Sequence, residues 1–161
     1  TYMRLHRKPV EEIYTQDDEF TLGKGHLVQD GNDITIIATG AVLVPEAIKA
    51  AKVLADEGIS AAVIDMHTFK PIDEEIIVKY GEKTGHVLTC ENAQINGGLG
   101  SAVAEVLGEH RPTPMKRLGI MGEFGEVGTL EYLVERFGLT SENIVKQAKA
   151  LLATSTVAAG R

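Results

Sequence analysis

Three apolar runs in this chain end on residues able to meet a ligand. Ile34-Thr35-Ile36-Ile37-Ala38 ends on Thr39, Ala61-Ala62-Val63-Ile64 ends on Asp65, and His86-Val87-Leu88-Thr89-Cys90 ends on Glu91. Open α/β sheets bind ligands beyond the carboxyl ends of their strands. A hydroxyl and two carboxylates there can hold a small molecule, or they can cap helices and bond neighbouring loops. After the third run comes Asn96-Gly97-Gly98-Leu99-Gly100-Ser101. At the start of a helix, Gly97, Gly98, Gly100 and Ser101 form a possible anion loop, because the first backbone N–H groups of a helix attract negative charge. The spacing is not Gly-x-Gly-x-x-Gly and no Walker lysine follows, so tight turning and close helix–sheet packing account for the same glycines. A second place for an anion is the basic island of Arg4, Arg7 and Lys8 in an otherwise acidic chain. A guanidinium fork matches a phosphate or a carboxylate, and a solvated surface is the alternative.

Other chemistries lack their residues. His6, His26, His67, His86 and His110 show no metal-ligand spacing, so no metal site is expected. No serine stands in a Gly-x-Ser-x-Gly elbow. Cys90 is the single cysteine, and it reads as a half-buried structural thiol with no base spaced to activate it. One thiol makes no internal disulfide, which points to the cytoplasm. The net charge of −7, with 23 acidic against 16 basic residues, argues against nucleic acid as a partner. The chain has no apolar run of membrane-spanning length, and its first residues have no signal-peptide core.

The elements that position these residues follow from periodicity. The apolar runs read as strands, each followed by a helix: from about Val42 to Glu57, from Asp73 to Lys83 and from Leu99 to His110. Asp73 is a good N-cap after Pro71. A fourth strand of this kind covers Met115–Ile120, followed by a glycine-rich loop around Phe124 and helices over about Thr129–Phe137 and Ser141–Leu152. Gly25–Gln29 is a further strand, and Asp30-Gly31-Asn32-Asp33 is a turn signal that predicts a hairpin with Ile34–Ala38. The expected fold is a three-layer α/β/α sandwich: a mixed, five-stranded sheet, mostly parallel, with one antiparallel edge strand. The expected organisation is a linker from a preceding domain over 1–19, a folded domain over 20–153 and a disordered tail over 154–161. The alternating pattern Tyr2-Met3-Arg4-Leu5 suggests the carboxyl-terminal portion of something longer.

Taken in order, Ile36-Ile37-Ala38-Thr39-Gly40, Val63-Ile64-Asp65-Met66-His67-Thr68-Phe69-Lys70-Pro71-Ile72-Asp73, and Glu91 followed by Gly97-Gly98-Leu99-Gly100-Ser101 resemble the carboxyl-terminal domain of transketolase. Tyr2–Arg7 and Ile13-Tyr14 resemble the exit of the preceding pyrimidine-binding domain. The resemblance implies ketol transfer between sugar phosphates by an enzyme using thiamine diphosphate and a divalent metal, neither bound by this stretch. It implies a role in assembly and the subunit interface, inactivity alone, and thiamine-binding domains as partners, in the same chain or on a second polypeptide. A homo-oligomer is also implied. Arg7, with Arg4 as alternate, matches the arginine that binds the substrate phosphate, and no catalytic residue falls here. Ala93 stands where many members carry a histidine. The alternatives are the matching domain of a 2-oxo-acid dehydrogenase β subunit or of deoxyxylulose-phosphate synthase, and a free-standing small-anion module.

Overall fold

A computed structural model describes residues 2–3, 5–6 and 9–158, with residues 155–158 as backbone only. Arg4 and Arg7 therefore lie outside the described residues. The strands are β1 (His26–Gln29), β2 (Ile34–Ala38), β3 (Ala61–Asp65), β4 (Val87–Gln94) and β5 (Met115–Ile120). The helices are α1 (Gly40–Asp56), α2 (Glu74–Thr84), α3 (Leu99–His110), α4 (Leu130–Arg136) and α5 (Ser141–Ala158). The sheet order is β1-β3-β2-β4-β5, with β1 antiparallel and the other pairings parallel. The expected mixed sheet with one antiparallel edge strand is what forms.

β2 is buried along its whole length because it lies at the centre of the sheet with helices on both faces. Its alternate side chains feed two cores. Ile34, Ile36 and Ala38 join Leu43, Ala47, Leu54, Ile144 and Ala148 from α1 and α5. Ile37 joins Ile77, Tyr80, Leu99, Val103 and Leu107 from α2 and α3 on the other side. Asp73 caps α2 as expected, its carboxylate accepting from the Ile76 N–H.

The predicted hairpin does not form. β1 pairs with β3, in a register that sets His26 opposite Asp65. The Asp-Gly-Asn-Asp segment is a crossing rather than a hairpin turn, carrying the chain over the start of β3 to reach β2. The Asn32 and Asp33 amides donate to the Ser60 carbonyl at 3.1 and 2.8 Å, and the Ser60 amide donates back to Asp33 Oδ2. Gly31 makes the crossing possible. A Cβ there would lie 2.6 Å from the Ala61 carbonyl oxygen and closer still to the Ala61 carbonyl carbon and the Ala62 nitrogen. The end of the chain also departs from expectation. α5 continues past Leu152 to Ala158, so 154–158 is helical rather than a patternless tail; extending an existing helix needs no new nucleus.

Candidate functional site

β4 delivers Glu91 to the carboxyl end of the sheet beside the N-terminus of α3. The Glu91 side chain is buried. Its Oε2 accepts from the Leu99 N–H at 2.9 Å and its Oε1 from the Gly100 N–H at 2.8 Å. The protein's own carboxylate thus takes the amides that would meet a bound anion in the predicted loop. The remaining loop residues are tied in as well. The Gly97 N–H donates to Ser101 Oγ at 2.9 Å, and Ser101 Oγ donates to the Ile95 carbonyl at 3.1 Å. Arg117 Nη1 donates to the same carbonyl at 2.8 Å. The glycines serve close packing around this carboxylate. A Cβ on Gly98 would lie 2.7 Å from the Glu91 carboxyl carbon, and one on Gly100 would lie 2.7 Å from Arg117 Cδ. Burial raises the Glu91 carboxyl above its ordinary value, against the lowering by the Gly100 and Leu99 amides and by Arg117.

Asp65 sits at the end of β3, on the far side of β2 from Glu91. The two carboxylates do not form a pair. The Asp65 Oδ2 accepts from the Tyr14 hydroxyl at 2.7 Å, and its buried Oδ1 has no partner. Burial raises the Asp65 carboxyl; the Tyr14 bond, His67 and His26 oppose the shift. The Tyr14 phenol is itself pushed up, first by burial and then by Asp65. Thr39, the third strand-end candidate, donates its amide to the Cys90 carbonyl and makes no side-chain cap bond to α1. Cys90 is fully buried and burial pushes its thiol up, which fits an inert structural thiol. His26 and His67 flank Phe20, while His86 faces the Asp33 carbonyl and His110 faces Glu74. Among the described residues no group of histidine, cysteine and carboxylate side chains could hold a metal ion, and no helix is long and apolar enough to cross a membrane.

The loop after β5 shows an apolar face. Arg136 binds Glu123 at 2.9 Å and Glu126 at 2.8 Å, the Tyr132 hydroxyl donates to Glu126, and Gln94 bonds the Glu123 carbonyl and the Gly122 amide. With these polar groups bound to one another, Met121, Phe124 and Val127 point outward, and Phe124 is 96% exposed.

The described chain therefore presents an internally capped glycine turn and exposed apolar side chains on the loop after β5. The family model for the transketolase C-terminal domain matches residues 23–144. This chain belongs to that family. The transketolase C-terminal domain described here is 52% identical over 147 residues to a 6-deoxy-6-sulfo-D-fructose transketolase subunit of Clostridium sp. (strain MSTE9), covering 91% of this chain and 45% of that protein. It is 41% identical to an apulose-4-phosphate transketolase subunit of Phocaeicola vulgatus, covering 91% of this chain and 47% of that protein. A solved split gene transketolase, an inactive β4 tetramer, superposes with a TM-score of 0.87 at 42% identity, over 91% of this chain and 48% of that one. The domain thus spans under half the length of these relatives.

Two contacts of this domain are not legible in the sequence. Arg117 stands inside the run Met115–Ile120 beside a glycine turn, and an arginine in a strand of that kind is a signal for an internal acceptor. Tyr14 and Asp65 are 51 positions apart, and no local pattern joins them.

Proposed function

We propose that this domain is the carboxyl-terminal part of a split transketolase, acting in assembly and inactive alone. The observation that carries the reading is the TM-score of 0.87 at 42% identity to a split-gene transketolase. The internal geometry supports it. Glu91 takes the amides of the glycine turn, so this turn makes a poor cradle for a diphosphate. In this reading thiamine diphosphate and the divalent metal are held by a thiamine-binding partner polypeptide, and the apolar side chains around Phe124 make contact within the assembly. A cytoplasmic homo-oligomer completes the reading.

The substrates in this reading are sugars with a terminal anionic group. The relatives act on 6-deoxy-6-sulfo-D-fructose and apulose 4-phosphate, as their names state. We assign the substrate's phosphate to Arg7, with Arg4 as alternate. A guanidinium pairs two N–H donors with two phosphate oxygens. Held away from the bond that breaks, the phosphate supplies binding energy that fixes the sugar for reaction.

Reconstitution tests the reading. Each polypeptide alone is expected to show no ketol transfer, and the mixture of this chain with its thiamine-binding partner is expected to show it. Acyl-lipoyl transfer by the mixture, in place of ketol transfer, would assign the domain to the oxo-acid dehydrogenase side of the resemblance.

A further inference from the structure

Residues 9–25 form no strand or helix, yet the stretch from Ile13 to Gly25 is fixed to the domain at both ends. At the far end the fastening is multiple. The Gly25 amide donates to Asp73 Oδ2 at 2.9 Å, Lys24 Nζ bonds Glu75 at 2.6 Å, and the Lys24 amide closes a turn onto the Thr21 carbonyl at 3.0 Å. Gly23 takes a positive φ of 82° in that turn, and a Cβ there would lie 3.0 Å from Pro71 Cγ. At the near end, Ile13 packs against the core on the face of α1 and α5. One residue on, the Tyr14 hydroxyl donates to Asp65 Oδ2 at the end of β3, at 2.7 Å. Between the two ends the chain doubles back, the Thr15 amide and hydroxyl both donating to Asp18 Oδ2, and Asp18 faces His26 across 3.8 Å. Phe20 then meets two imidazoles, stacked on His26 with ring centroids 5.2 Å apart and edge-on to His67 at 5.3 Å. The Tyr14 ring meets Phe20 and His26 edge-on, at 4.8 and 5.1 Å.

The ties at the near end are unequal. Phe20 stays half-exposed and Ile13 is only partly buried. The Asp18–His26 separation lies beyond hydrogen-bond reach, and an ion pair open to water contributes little. Among the described residues, the Tyr14 hydroxyl makes the one hydrogen bond from residues 9–20 to the rest of the domain. Its acceptor is buried, and the other oxygen of that carboxyl, Oδ1, has no partner. Without Tyr14 the Asp65 carboxyl has no hydrogen bond for as long as it stays covered. That state is costly, and letting water reach the carboxyl relieves it.

We infer that residues 13–20 are a strap over the carboxyl end of β3, hinged on the Thr21–Gly25 turn and held shut by the Tyr14 hydroxyl. Open α/β sheets receive ligands at that end of their strands. The strap therefore keeps Asp65, one of the strand-end carboxylates, out of solvent until it lifts. Lifting breaks the Tyr14 bond and the Phe20 ring contacts together. It leaves the Gly25–Asp73 and Lys24–Glu75 bonds in place.

The test is Tyr14→Phe in this chain, which keeps the ring and removes the hydroxyl. Nitrogen-15 relaxation reads the strap. Wild type is expected to give order parameters of about 0.8 or more over residues 13–20, and Tyr14→Phe to drop them below about 0.6. Residues 24–29, β2 and β4 are expected to keep their wild-type values, which shows hinge and fold intact. Carbon-13 titration of the Asp65 carboxyl reads what the strap covers, and a lifted and a closed strap move it in opposite directions. Burial raises this carboxyl above its ordinary 3.8, and the Tyr14 bond works against the rise. A strap that lifts hydrates the carboxyl and brings its value down towards 3.8. A strap that stays shut without the hydroxyl sends it higher. Lost order over 13–20 with a lower Asp65 value supports the strap. A higher value, or equal order parameters in the two proteins, overturns the Tyr14 hydroxyl as its latch. Lost order with an unchanged Asp65 value overturns the covering of Asp65, and lost order that spreads through 24–29 overturns the hinge.

Discussion

Gly98→Ala is expected to destabilise the fold by about 3–5 kcal/mol, the combined scale of overpacking and of two buried hydrogen bonds lost. The cause is local. The added methyl has no room, with the Glu91 carboxyl carbon at 2.7 Å and the Gln94 carbonyl oxygen at 2.8 Å. The Gln94 carbonyl is backbone and cannot swing aside, so the Glu91 side chain must leave. Its departure strips the Leu99 and Gly100 amides of their acceptor and opens the start of α3. Chemical denaturation reads the loss, and a midpoint equal to wild type would show that Glu91 does not hold this turn.

The same carboxyl carries a pH signature. Because folding raises its value above the ordinary 4.5, the folded chain holds this proton more tightly than the unfolded one. Its contribution is full below the unfolded value and is lost as pH rises through the folded value. Glu91→Gln keeps one acceptor oxygen and removes the titration. The stability of wild type relative to Glu91→Gln is therefore expected to fall as pH rises above the ordinary 4.5.

Arg7→Ala in the assembled enzyme is expected to lower kcat/KM for phosphorylated sugars on the order of 100-fold, the scale of a bidentate charged pair. Under the assignment of Arg7 to the phosphate, the same change leaves unphosphorylated sugars near their wild-type values, because they lack the group it would bind. Steady-state kinetics with matched ketoses give the ratio directly. An equal loss on both substrates removes Arg7 from the phosphate site, and Arg4→Ala is then the variant that carries the selective loss.

What the sequence reveals here depends on how far apart the interacting residues lie. The Ile34–Ala38 run reads as a strand because every position but Thr35 is apolar, and the structure buries it along its whole length. Asp73 reads as a cap because the amide it binds belongs to Ile76, three positions on. The partner of β1 does not read, because Asp30-Gly31-Asn32-Asp33 reports a change of direction without saying which strand lies alongside. The β1–β3 pairing, the Ser60 hydrogen bonds and the close approach of Gly31 to Ala61 show that the chain crosses over β3. Glu91 stands out as a strand-end carboxylate, with capping among its readings, but its occupation of the glycine turn depends on α3 folding back onto β4. The Thr154-Ser155-Thr156-Val157 stretch has low helix propensity, and α5 nonetheless runs through it.

The most direct measurement of the central claim, that the reaction centre comes from another polypeptide, is calorimetric titration of thiamine diphosphate with magnesium. It is made into this chain alone and then into its mixture with the thiamine-binding partner. No saturable heat is expected from the chain alone, and stoichiometric binding is expected in the mixture. Stoichiometric thiamine diphosphate binding by the chain alone would contradict it.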